Sequence, residues 1–442
     1  MTDTHILNIG FDDTDSPKGM CTTFLAYKIV DLLKKQETEF LDFPKLIRFN
    51  PNIPWKTRGN GAVSLRIRTK NPSKIKNQIK NLVEKYSDIK NGANPGLVFY
   101  ESKEIPEQFT RFSKLALWQL INRNHAKKFA TKNNIEFFYQ GNGQGLVGAI
   151  GAIGYDFQDH TLELLSYRKN SNFGKERKLS AKSVKTMQEK TLPYTFNSFD
   201  NKKERVLITP HGPDPVFYGV RGENVISLLR ATKILETDEK LAGYMIFKSN
   251  QGTGDHLKNE FNITNIKPYA SGKITGIISD EPKIVKGGHV FFSIISDGYE
   301  LRCAVYKPTG MSFVALSLIK GDKVCIGGGI RKASKNHPRI LNLEFIDVIN
   351  LEKNLIKSNP ICKKCDKKMK SKGKSQGYQC IKCGKKLANK VILEIPRKIK
   401  KQLYIPSVSA HRHLSRPLQR IGRINEESKF DESASWFCVY EK

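Results

Sequence analysis

Two close pairs of cysteines near the C-terminus constrain the fold of this chain more than any other feature. Cys362 and Cys365 form one C-x₂-C pair, Cys380 and Cys383 form the other, and 14 residues separate the two pairs. Four thiolates at this spacing make a closed tetrahedral zinc site, which is structural because no position is left for water. We therefore predict a zinc ribbon over residues 356–395. The other four cysteines are scattered, which indicates a reducing compartment rather than a disulfide framework.

A chain of 442 residues is too long for one ordinary domain. Its opening, a buried strand over residues 5–11, an acidic turn and a helix from Cys21, is typical of α/β domains. We predict a first α/β domain over residues 1–138, including one amphipathic helix over 109–133. A second domain, of α+β type, is predicted over residues 139–258, with a strand of alternating polarity over 161–168.

Residues 267–350 have the pattern of a small β-barrel. Five β-rich runs, separated by turn residues, are YASGKITGII, HVFFSIIS, YELRCAVY, KVCIGGGIRK and ILNLEFIDVI. Five short strands in a segment of this length predict an OB-fold, with another small barrel as the alternative. After the zinc ribbon, residues 396–442 are predicted to form a basic C-terminal tail.

The charge of the chain indicates a polyanionic partner. Lys and Arg total 75 against 43 Asp and Glu, a net charge of +32. Residues 353–401 alone contain 17 Lys or Arg and two acids. Nucleic acid is the usual reason for such an excess; a surface suited to a salty cytoplasm is the alternative. With no signal peptide and no long apolar run, we expect a cytoplasmic protein without a membrane partner; no protein partner is indicated.

The acidic turn DDTDSPKG provides candidate metal ligands. Asp12, Asp13 and Asp15 follow the first predicted strand, at the end where α/β folds bind their ligands. Mg²⁺ is usually held by one or two carboxylates together with nucleotide phosphates, and we predict Asp12 and Asp13 as its ligands. The alternative is that Asp15 or Ser16 simply caps the following helix.

The start of that helix and a later loop provide candidate phosphate ligands. A hydroxyl of Thr22 or Thr23, at a helix N-terminus, can bind a phosphate oxygen or accept a phosphoryl group; helix capping is the alternative. The loop NPNIPWKTRGNG places Lys56 and Arg58 beside flexible glycines, an arrangement that can bind phosphates; a proline-stiffened surface loop is the alternative. The predicted phosphate-binding set is Thr14, Ser16, Thr23, Lys56, Arg58, Gly59 and Asn60.

Two further segments have several possible roles. The stretch GNGQGLVGAIGAIG lacks the βαβ context of a dinucleotide fold, so we reject that interpretation. Its glycines permit either a close approach of backbone to ligand or tight packing. The segment AHRHLSRPLQR contains Arg412, Arg416 and Arg420, which we predict to bind RNA; docking on the body of the protein is the alternative.

Five segments together resemble one family in order along the chain. FDDTDSPKGMCTTF, FNPNIPWKTRGNGAV, GNGQGLVGAIGAIG, FKSNQGTGDHL and AHRHLSRP are similar to the archaeal agmatidine synthetases, which modify the wobble cytidine of the AUA-decoding isoleucine tRNA. The resemblance spans nearly the whole chain. It implies a multidomain α+β fold with a kinase-like catalytic domain, a ferredoxin-like domain, an OB-fold and a zinc ribbon.

The resemblance also implies an activity. ATP and agmatine would be consumed with Mg²⁺, AMP and diphosphate would be released, and the tRNA with a CAU anticodon would gain agmatidine. Asp12, Asp13 and Asp15 would serve Mg²⁺ and phosphoryl transfer, and Thr22 would be the autophosphorylated threonine. Two other functions remain as alternatives: an ATP-dependent kinase or ligase for another substrate, and a non-catalytic nucleic-acid-binding protein.

Overall fold

One mixed β-sheet runs through the first 258 residues. The structure, a computed structural model, describes residues 4–335, 338–425, 430–432 and 434–440. The strands of this half are β1 (His5–Asp12), β2 (Thr38–Phe40), β3 (Lys45–Arg48), β4 (Gly61–Thr69), β5 (Gly96–Glu101), β6 (Glu136–Tyr139), β7 (Thr161–Arg168), β8 (Thr195–Phe196), β9 (Phe199–Asp200), β10 (Arg205–Val206), β11 (Val216–Gly222) and β12 (Leu241–Ser249). The helices are α1 (Thr22–Lys34), α2 (Pro72–Tyr86), α3 (Glu107–Trp118), α4 (Arg123–Lys132), α5 (Gly145–Ile153), α6 (Ala181–Thr191) and α7 (Val225–Ile234).

A parallel pair of strands joins the two predicted domains of this half. The strand order is β6-β5-β1-β4-β3-β12-β7-β11-β8, so β3 of the first part lies beside β12 of the second. Lys45 is paired with Lys248 and Leu46 with Ser249. The largest hydrophobic core likewise contains residues of both parts. The two parts therefore share one sheet and one core, and the exact boundary at residue 138 stays a prediction.

The glycine-rich stretch forms α5, which packs tightly on the first part of the sheet. A Cβ at Gly10 would overlap the backbone of Ala149, and a Cβ at Gly145 would overlap backbone atoms of Gly96 and Asp12. Glycine is the residue that permits such an approach of helix to strand. Of the two predicted roles, these contacts demonstrate tight packing.

Residues 109–133 form two helices, so the prediction of one helix is wrong. α3 ends at Trp118, and the side chain of Asn122 caps α4 by accepting a hydrogen bond from the backbone N–H of Asn124 at 2.8 Å. An asparagine cap stabilises a new helix start. The continuous amphipathic pattern masked this break because both helices bury apolar residues such as Phe112 and Ala126.

The strand at 161–168 was predicted correctly, although its two faces do not differ in burial. All eight residues of β7 are buried, including Glu163 and Arg168. β7 lies between β12 and β11, and both of its faces are covered. Its polar side chains therefore lie inside the protein, where they need partners.

The five predicted β-runs form a closed barrel, as the OB-fold prediction requires. The elements are β13 (Ser271–Ile278), β14 (Lys283–Ile284), β15 (Val290–Ser296), β16 (Tyr299–Val305), β17 (Lys323–Arg331) and β18 (Ile340–Asn350), with the short helix α8 (Ser312–Leu316). Pairing of β13 with both β17 and β15 closes the barrel. Its interior is a separate hydrophobic core.

The zinc ribbon and the tail complete the chain. β19 (Asn354–Ser358) and β23 (Val391–Ile395) form a two-stranded ladder, and β20 (Lys370–Ser371), β21 (Tyr378–Gln379) and β22 (Lys386–Leu387) form a small sheet. β24 (Leu403–Tyr404) pairs with β18, and β25 (Phe437–Val439) pairs with β12. The prediction of a multidomain α+β fold is confirmed. No helix in the described part of the chain is long and apolar enough to cross a membrane.

Candidate active site

A cavity of about 830 Å³ collects residues from three distant parts of the chain. The acidic turn, the start of α1 and the loop of residues 50–61 form one side. β7, β11 and residues 207–214 form the other, and His413 of the tail completes the wall. A cavity of this size fits a nucleotide or a drug-sized ligand.

The acidic turn faces the cavity with two carboxylates whose ionised forms are destabilised. Burial, reinforced by the neighbouring Asp13 carboxylate, holds the pKa of Asp12 well above its ordinary value. Burial and then Asp15 raise the pKa of Asp13 to about 7. Asp13 has φ of 57°, the left-handed region, which turns the chain sharply after β1. Adjacent buried carboxylates need a proton or a cation, so their chemistry fits Mg²⁺.

Asp15 has a different environment from the other two acids. It accepts hydrogen bonds from the hydroxyl of Thr57 at 2.9 Å and from the guanidinium of Arg58 at 3.0 Å. Burial still raises the pKa of Asp15, although Arg58 opposes the shift. Arg58 also donates to the carbonyl oxygens of Met20 and Ser16 at 2.8 and 3.2 Å. Asp15 therefore anchors the loop of residues 50–61 to the acidic turn.

The N-terminus of α1 is open toward the cavity. Cys21, the N-cap residue, makes no side-chain capping bond, and the first turn has no acidic residue. Thr22 and Thr23 line the cavity, so their helix-terminal N–H groups are suited to a phosphate. The hydroxyl of Thr14 donates to that of Thr22 at 3.0 Å, which leaves the Thr22 proton free to point elsewhere.

Most of the predicted phosphate-binding residues do line the cavity, but two do not. Lys56, Arg58, Gly59 and Asn60 are part of its wall. Thr14 and Ser16 are buried behind the wall, and the Ser16 hydroxyl donates to Asp88 at 2.5 Å. Their assignment as ATP ligands stays a prediction, while their observed contacts hold the acidic turn in shape.

The opposite wall contains a charged network that sequence reasoning missed. Glu163, buried on β7, forms ion pairs with Arg48 at 3.6 Å and Arg221 at 3.3 Å, and it accepts a hydrogen bond from Gln251. His413 lies 2.9 Å from the Gln251 oxygen, and burial holds its pKa well below the ordinary value. Two of the segments quoted above contain members of this network: FKSNQGTGDHL includes Gln251, and AHRHLSRP includes His413. For the second segment the sequence predicts RNA binding, with docking on the body as the alternative.

Asp214 is a second missed carboxylate of the cavity. It is 2% exposed, and burial raises its pKa despite the opposing charges of Arg58 and Arg177. Its Oδ2 has no hydrogen-bond partner among the described residues, although the carboxylate forms ion pairs with Arg177 at 3.4 Å and Arg58 at 3.8 Å. A buried carboxylate oxygen without a partner, on the wall of a cavity, is suited to a cationic ligand.

The structure shows that the tail docks on the body of the protein. Arg420 has no exposed surface and is bonded to Asp159 at 2.7 Å and Glu223 at 2.8 Å, so the prediction that Arg420 binds RNA is wrong. Arg416 shares Asp159 at 2.7 Å, and Arg412 pairs with Glu344 at 3.2 Å. Arg412 and Arg416 remain partly exposed, so RNA contact stays a prediction for these two.

The four cysteines of the ribbon lie together as predicted. Their sulfur atoms are all within 4.8 Å of one another, and those of Cys362 and Cys383 are 3.5 Å apart. The hydrophobic cluster around them contains little else, chiefly Met369 and Tyr378. The donor set fits a structural Zn²⁺, which would take the place of a larger core.

Comparison with known proteins identifies the same set of modules. The sequence matches the family models of the TiaS TCKD domain at residues 8–72, the TiaS FLD domain at 143–256 and the TiaS C-terminal zinc ribbon domain at 359–399. It is 47% identical over 435 residues to the isoleucine-tRNA 2-agmatinylcytidine synthetase TiaS of Cenarchaeum symbiosum; the alignment covers 98% of this chain and 97% of that protein. Identity to the Methanocaldococcus jannaschii protein of the same name is 40% over 427 residues, covering 94% and 99%.

Solved structures agree with the sequence comparison. The crystal structure of a complex of TiaS with its isoleucine tRNA and ATP matches with a TM-score of 0.86 at 33% identity, covering 97% of this chain and 100% of the other. The complex of TiaS with the same tRNA, AMPCPP and agmatine matches with a TM-score of 0.83 at 31% identity, with the same coverage.

Proposed function

The chain belongs to the TiaS family of isoleucine-tRNA 2-agmatinylcytidine synthetases, and we propose that it uses ATP to join agmatine to the wobble cytidine of an isoleucine tRNA with a CAU anticodon. The product, 2-agmatinylcytidine, would switch decoding from AUG to AUA. The family that the sequence motifs implied is thus confirmed. A cytoplasmic location stays a prediction.

One observation carries the proposal: a single cavity combines a carboxylate turn, an open helix N-terminus and a cationic loop with acids on the opposite wall. The first three features suit a magnesium triphosphate, and the last suits a cationic co-substrate. A protein that only binds nucleic acid has no need of this combination. The geometry therefore favours the ligase over the non-catalytic alternative.

The nucleotide would lie against the first part of the sheet. Asp12 and Asp13 would hold Mg²⁺, which, when bound, offsets the charge of the triphosphate. Lys56 is half-buried, and burial followed by the charge of Arg412 lowers its pKa. Its ammonium and the N-terminus of α1 would orient the phosphates. Asp15 would keep Arg58 in place through the ion pair described above.

Agmatine would lie against the second part. It is a dication, so its binding site requires acceptor oxygens that still have hydrogen-bonding capacity. Asp214 offers one, because its Oδ2 accepts no hydrogen bond from the described residues, although Arg58 and Arg177 both lie within ion-pair distance. Both oxygens of Glu163 accept hydrogen bonds, from Arg221 and Gln251, so we assign Glu163 to shaping the wall. The C2 oxygen of cytidine must also become a leaving group. Transfer of a phosphoryl group from ATP to that oxygen would activate it; the agmatine amine would then form the C–N bond at C2 and lose its proton, while the C2–O bond breaks and the oxygen departs as phosphate.

The C-terminal modules would supply the affinity for tRNA. The ribbon region carries the densest positive charge of the chain, and the OB barrel directly precedes it along the chain. The cytidine must leave the stack of the anticodon loop, at a cost of about a few kcal/mol. Backbone contacts made by cationic modules can offset that cost.

The direct test is to incubate the protein with ATP, Mg²⁺, agmatine and a CAU-anticodon tRNA, followed by mass spectrometry of the nucleosides. We expect 2-agmatinylcytidine only when all components are present. A tRNA with uridine at the wobble position is the matched control and should stay unmodified. If ATP is consumed while the cytidine stays unmodified, this function is contradicted and another ATP-dependent reaction is favoured. If the tRNA does not stimulate ATP turnover, a protein that only binds nucleic acid is favoured.

A further inference from the structure

An aromatic pair lies where the wall of the cavity meets the OB barrel. Trp55, in the loop of residues 50–61, lines the cavity, yet 53% of its surface is exposed. Its ring is edge-on to that of Tyr269, with centroids 6.2 Å apart and an interplanar angle of 70°. Tyr269 is two residues before the start of β13. Trp55 therefore stands between the cavity and the barrel.

Hydrogen bonds hold this loop on the barrel. The buried side chain of Asn50 donates to the carbonyl oxygen of Tyr269 at 2.9 Å, and Asn52 donates to the hydroxyl of Ser271 at 2.7 Å. Ser271 in turn donates to Asn50 at 2.9 Å. The backbone near Trp55 is thus fixed before any ligand binds, which reduces the entropy lost when a ligand packs on the indole.

Two cations lie on or against the loop that carries the exposed indole. Lys56 follows Trp55 in the chain, and Arg412 is close enough to lower the pKa of Lys56 after burial has done so. Arg412 of the tail, which pairs with Glu344 at 3.2 Å, also donates to the side-chain oxygen of Asn52 at 2.9 Å and so contacts the same loop. An exposed aromatic ring beside two cations is the arrangement that binds single-stranded nucleic acid, since the ring stacks on a base while the cations offset phosphates.

We propose that the exposed face of Trp55 stacks on the nucleobase that passes from the tRNA into the cavity, with Tyr269 supporting the indole from the side. Trp55 is then a substrate-binding residue that selects an extruded nucleotide rather than a base-paired one. The inference rests on the proposed function, because it takes a tRNA base as the ligand of the cavity. The adenine of ATP is the competing occupant of the same ring face, and the experiments separate the two.

Fluorescence tests the contact directly. The chain has three tryptophans, of which Trp436 is fully buried and Trp118 donates its indole N–H to Asp255 at 3.0 Å. The emission of the native protein minus that of Trp55→Phe isolates Trp55. We expect this difference to be quenched by CAU-anticodon tRNA without ATP and unchanged by ATP and Mg²⁺ alone. Quenching by ATP alone, or no quenching by tRNA, would overturn the proposal.

Steady-state kinetics test whether loss of the indole weakens the binding of tRNA. Trp55→Ala should raise the KM for tRNA by about 5- to 150-fold, the range expected for one lost base stack, and leave the KM for ATP unchanged. Trp55→Phe should restore most of the loss. Tyr194→Ala is the matched control, because Tyr194 is 51% exposed but lies outside the cavity wall. An unchanged KM for tRNA in Trp55→Ala would contradict the stacking role.

The two proposals can fail separately. If the native protein makes no 2-agmatinylcytidine while tRNA quenches Trp55 and Trp55→Ala weakens tRNA binding, the proposed function fails and the stacking contact stands. If modification proceeds equally in the native protein and in Trp55→Ala, with no quenching, the function stands and the contact is refuted.

Discussion

Individual residues of the acidic turn have separate tasks, although the sequence presents them as one cluster. Asp15 is paired with Arg58 and Thr57. Burial and then the charge of Asp13 raise the pKa of Asp12, and burial and then the charge of Asp15 raise the pKa of Asp13. The difference arises because Asp13 adopts a left-handed conformation, which turns the chain between the two environments. The metal-binding role is therefore best tested at Asp12.

Asp12→Asn should lower the rate of agmatidine formation by at least about 100-fold, the typical loss for one electrostatic group at a reacting centre. The amide keeps the size of the side chain and removes its charge, so the Kd for tRNA should change by less than a few-fold. Steady-state rates and a filter-binding assay measure the two effects. Asp156→Asn, a change at an exposed acid outside the main cavity, is the control and should behave like the native protein. Normal turnover in Asp12→Asn would contradict a metal-binding role for Asp12.

Gly148→Ala should also impair activity. An added Cβ would overlap the carboxylate of Asp12, because α5 lies directly against the acidic turn. We expect weaker binding of Mg²⁺–ATP, measured by calorimetry, with tRNA affinity retained. Gly19→Ala is the control, since a Cβ there meets nothing within 4 Å. Native affinity for Mg²⁺–ATP in Gly148→Ala would show that Asp12 does not need its present position.

Among the structural elements, the zinc ribbon is the one whose folding depends most on metal–thiolate bonds. Its hydrophobic cluster consists largely of the cysteines themselves, and many of its apolar side chains, such as Ile381 and Ile392, are exposed. Such a module has too little buried surface to fold alone, so metal binding supplies its stability. The OB barrel, by contrast, has a core of its own.

Cys365→Ser should release zinc and weaken tRNA binding, while ATP binding stays intact because the cavity has no contribution from the ribbon. Metal analysis and the Kd for each ligand measure this. Cys438→Ser, at a cysteine on β25 outside the cluster, should retain zinc. Full zinc content in Cys365→Ser would refute the four-cysteine site.

At the scale of the whole molecule, the C-terminal tail packs against both the large sheet and the barrel and so connects them. β25 pairs with β12, β24 pairs with β18, and Trp436 is fully buried against Phe40, with ring centroids 5.3 Å apart. The buried ion pairs of Arg420 add to these contacts. The cavity wall includes His413 of this tail, so docking and the active site are linked.

Arg420→Met should reduce the free energy of unfolding by about 3–5 kcal/mol, because among the described residues it leaves the buried Asp159 carboxylate with Arg416 alone as an ion-pair partner. Denaturant titration followed by tryptophan emission, together with the midpoint of thermal unfolding, measures the loss. Arg423→Met, at an exposed position of the same tail, should cost far less. Equal stability of the two variants would show that the buried ion pairs of Arg420 contribute little to the free energy of unfolding.

Binding of tRNA should weaken steeply with salt, because the net charge of +32 binds phosphates by releasing counterions. For about six to ten phosphate contacts, we expect a loss of affinity of about 10³- to 10⁵-fold between about 50 and 200 mM salt. The slope of log Kd against log salt counts the phosphate contacts. A flat response would mean that the charge excess serves solubility instead.

The sequence by itself determined the features that depend on neighbours along the chain. The cysteine spacing identified the zinc site, the alternating runs identified the barrel, and the turn after β1 identified the carboxylates, since each is a short-range pattern. Tertiary structure alone decided which side chains meet. Glu163, Asp214 and His413 come from distant segments to one wall, and Arg420 is inside rather than on the surface. Composition reports a charge, but only packing decides whether that charge faces water, a ligand or a buried partner.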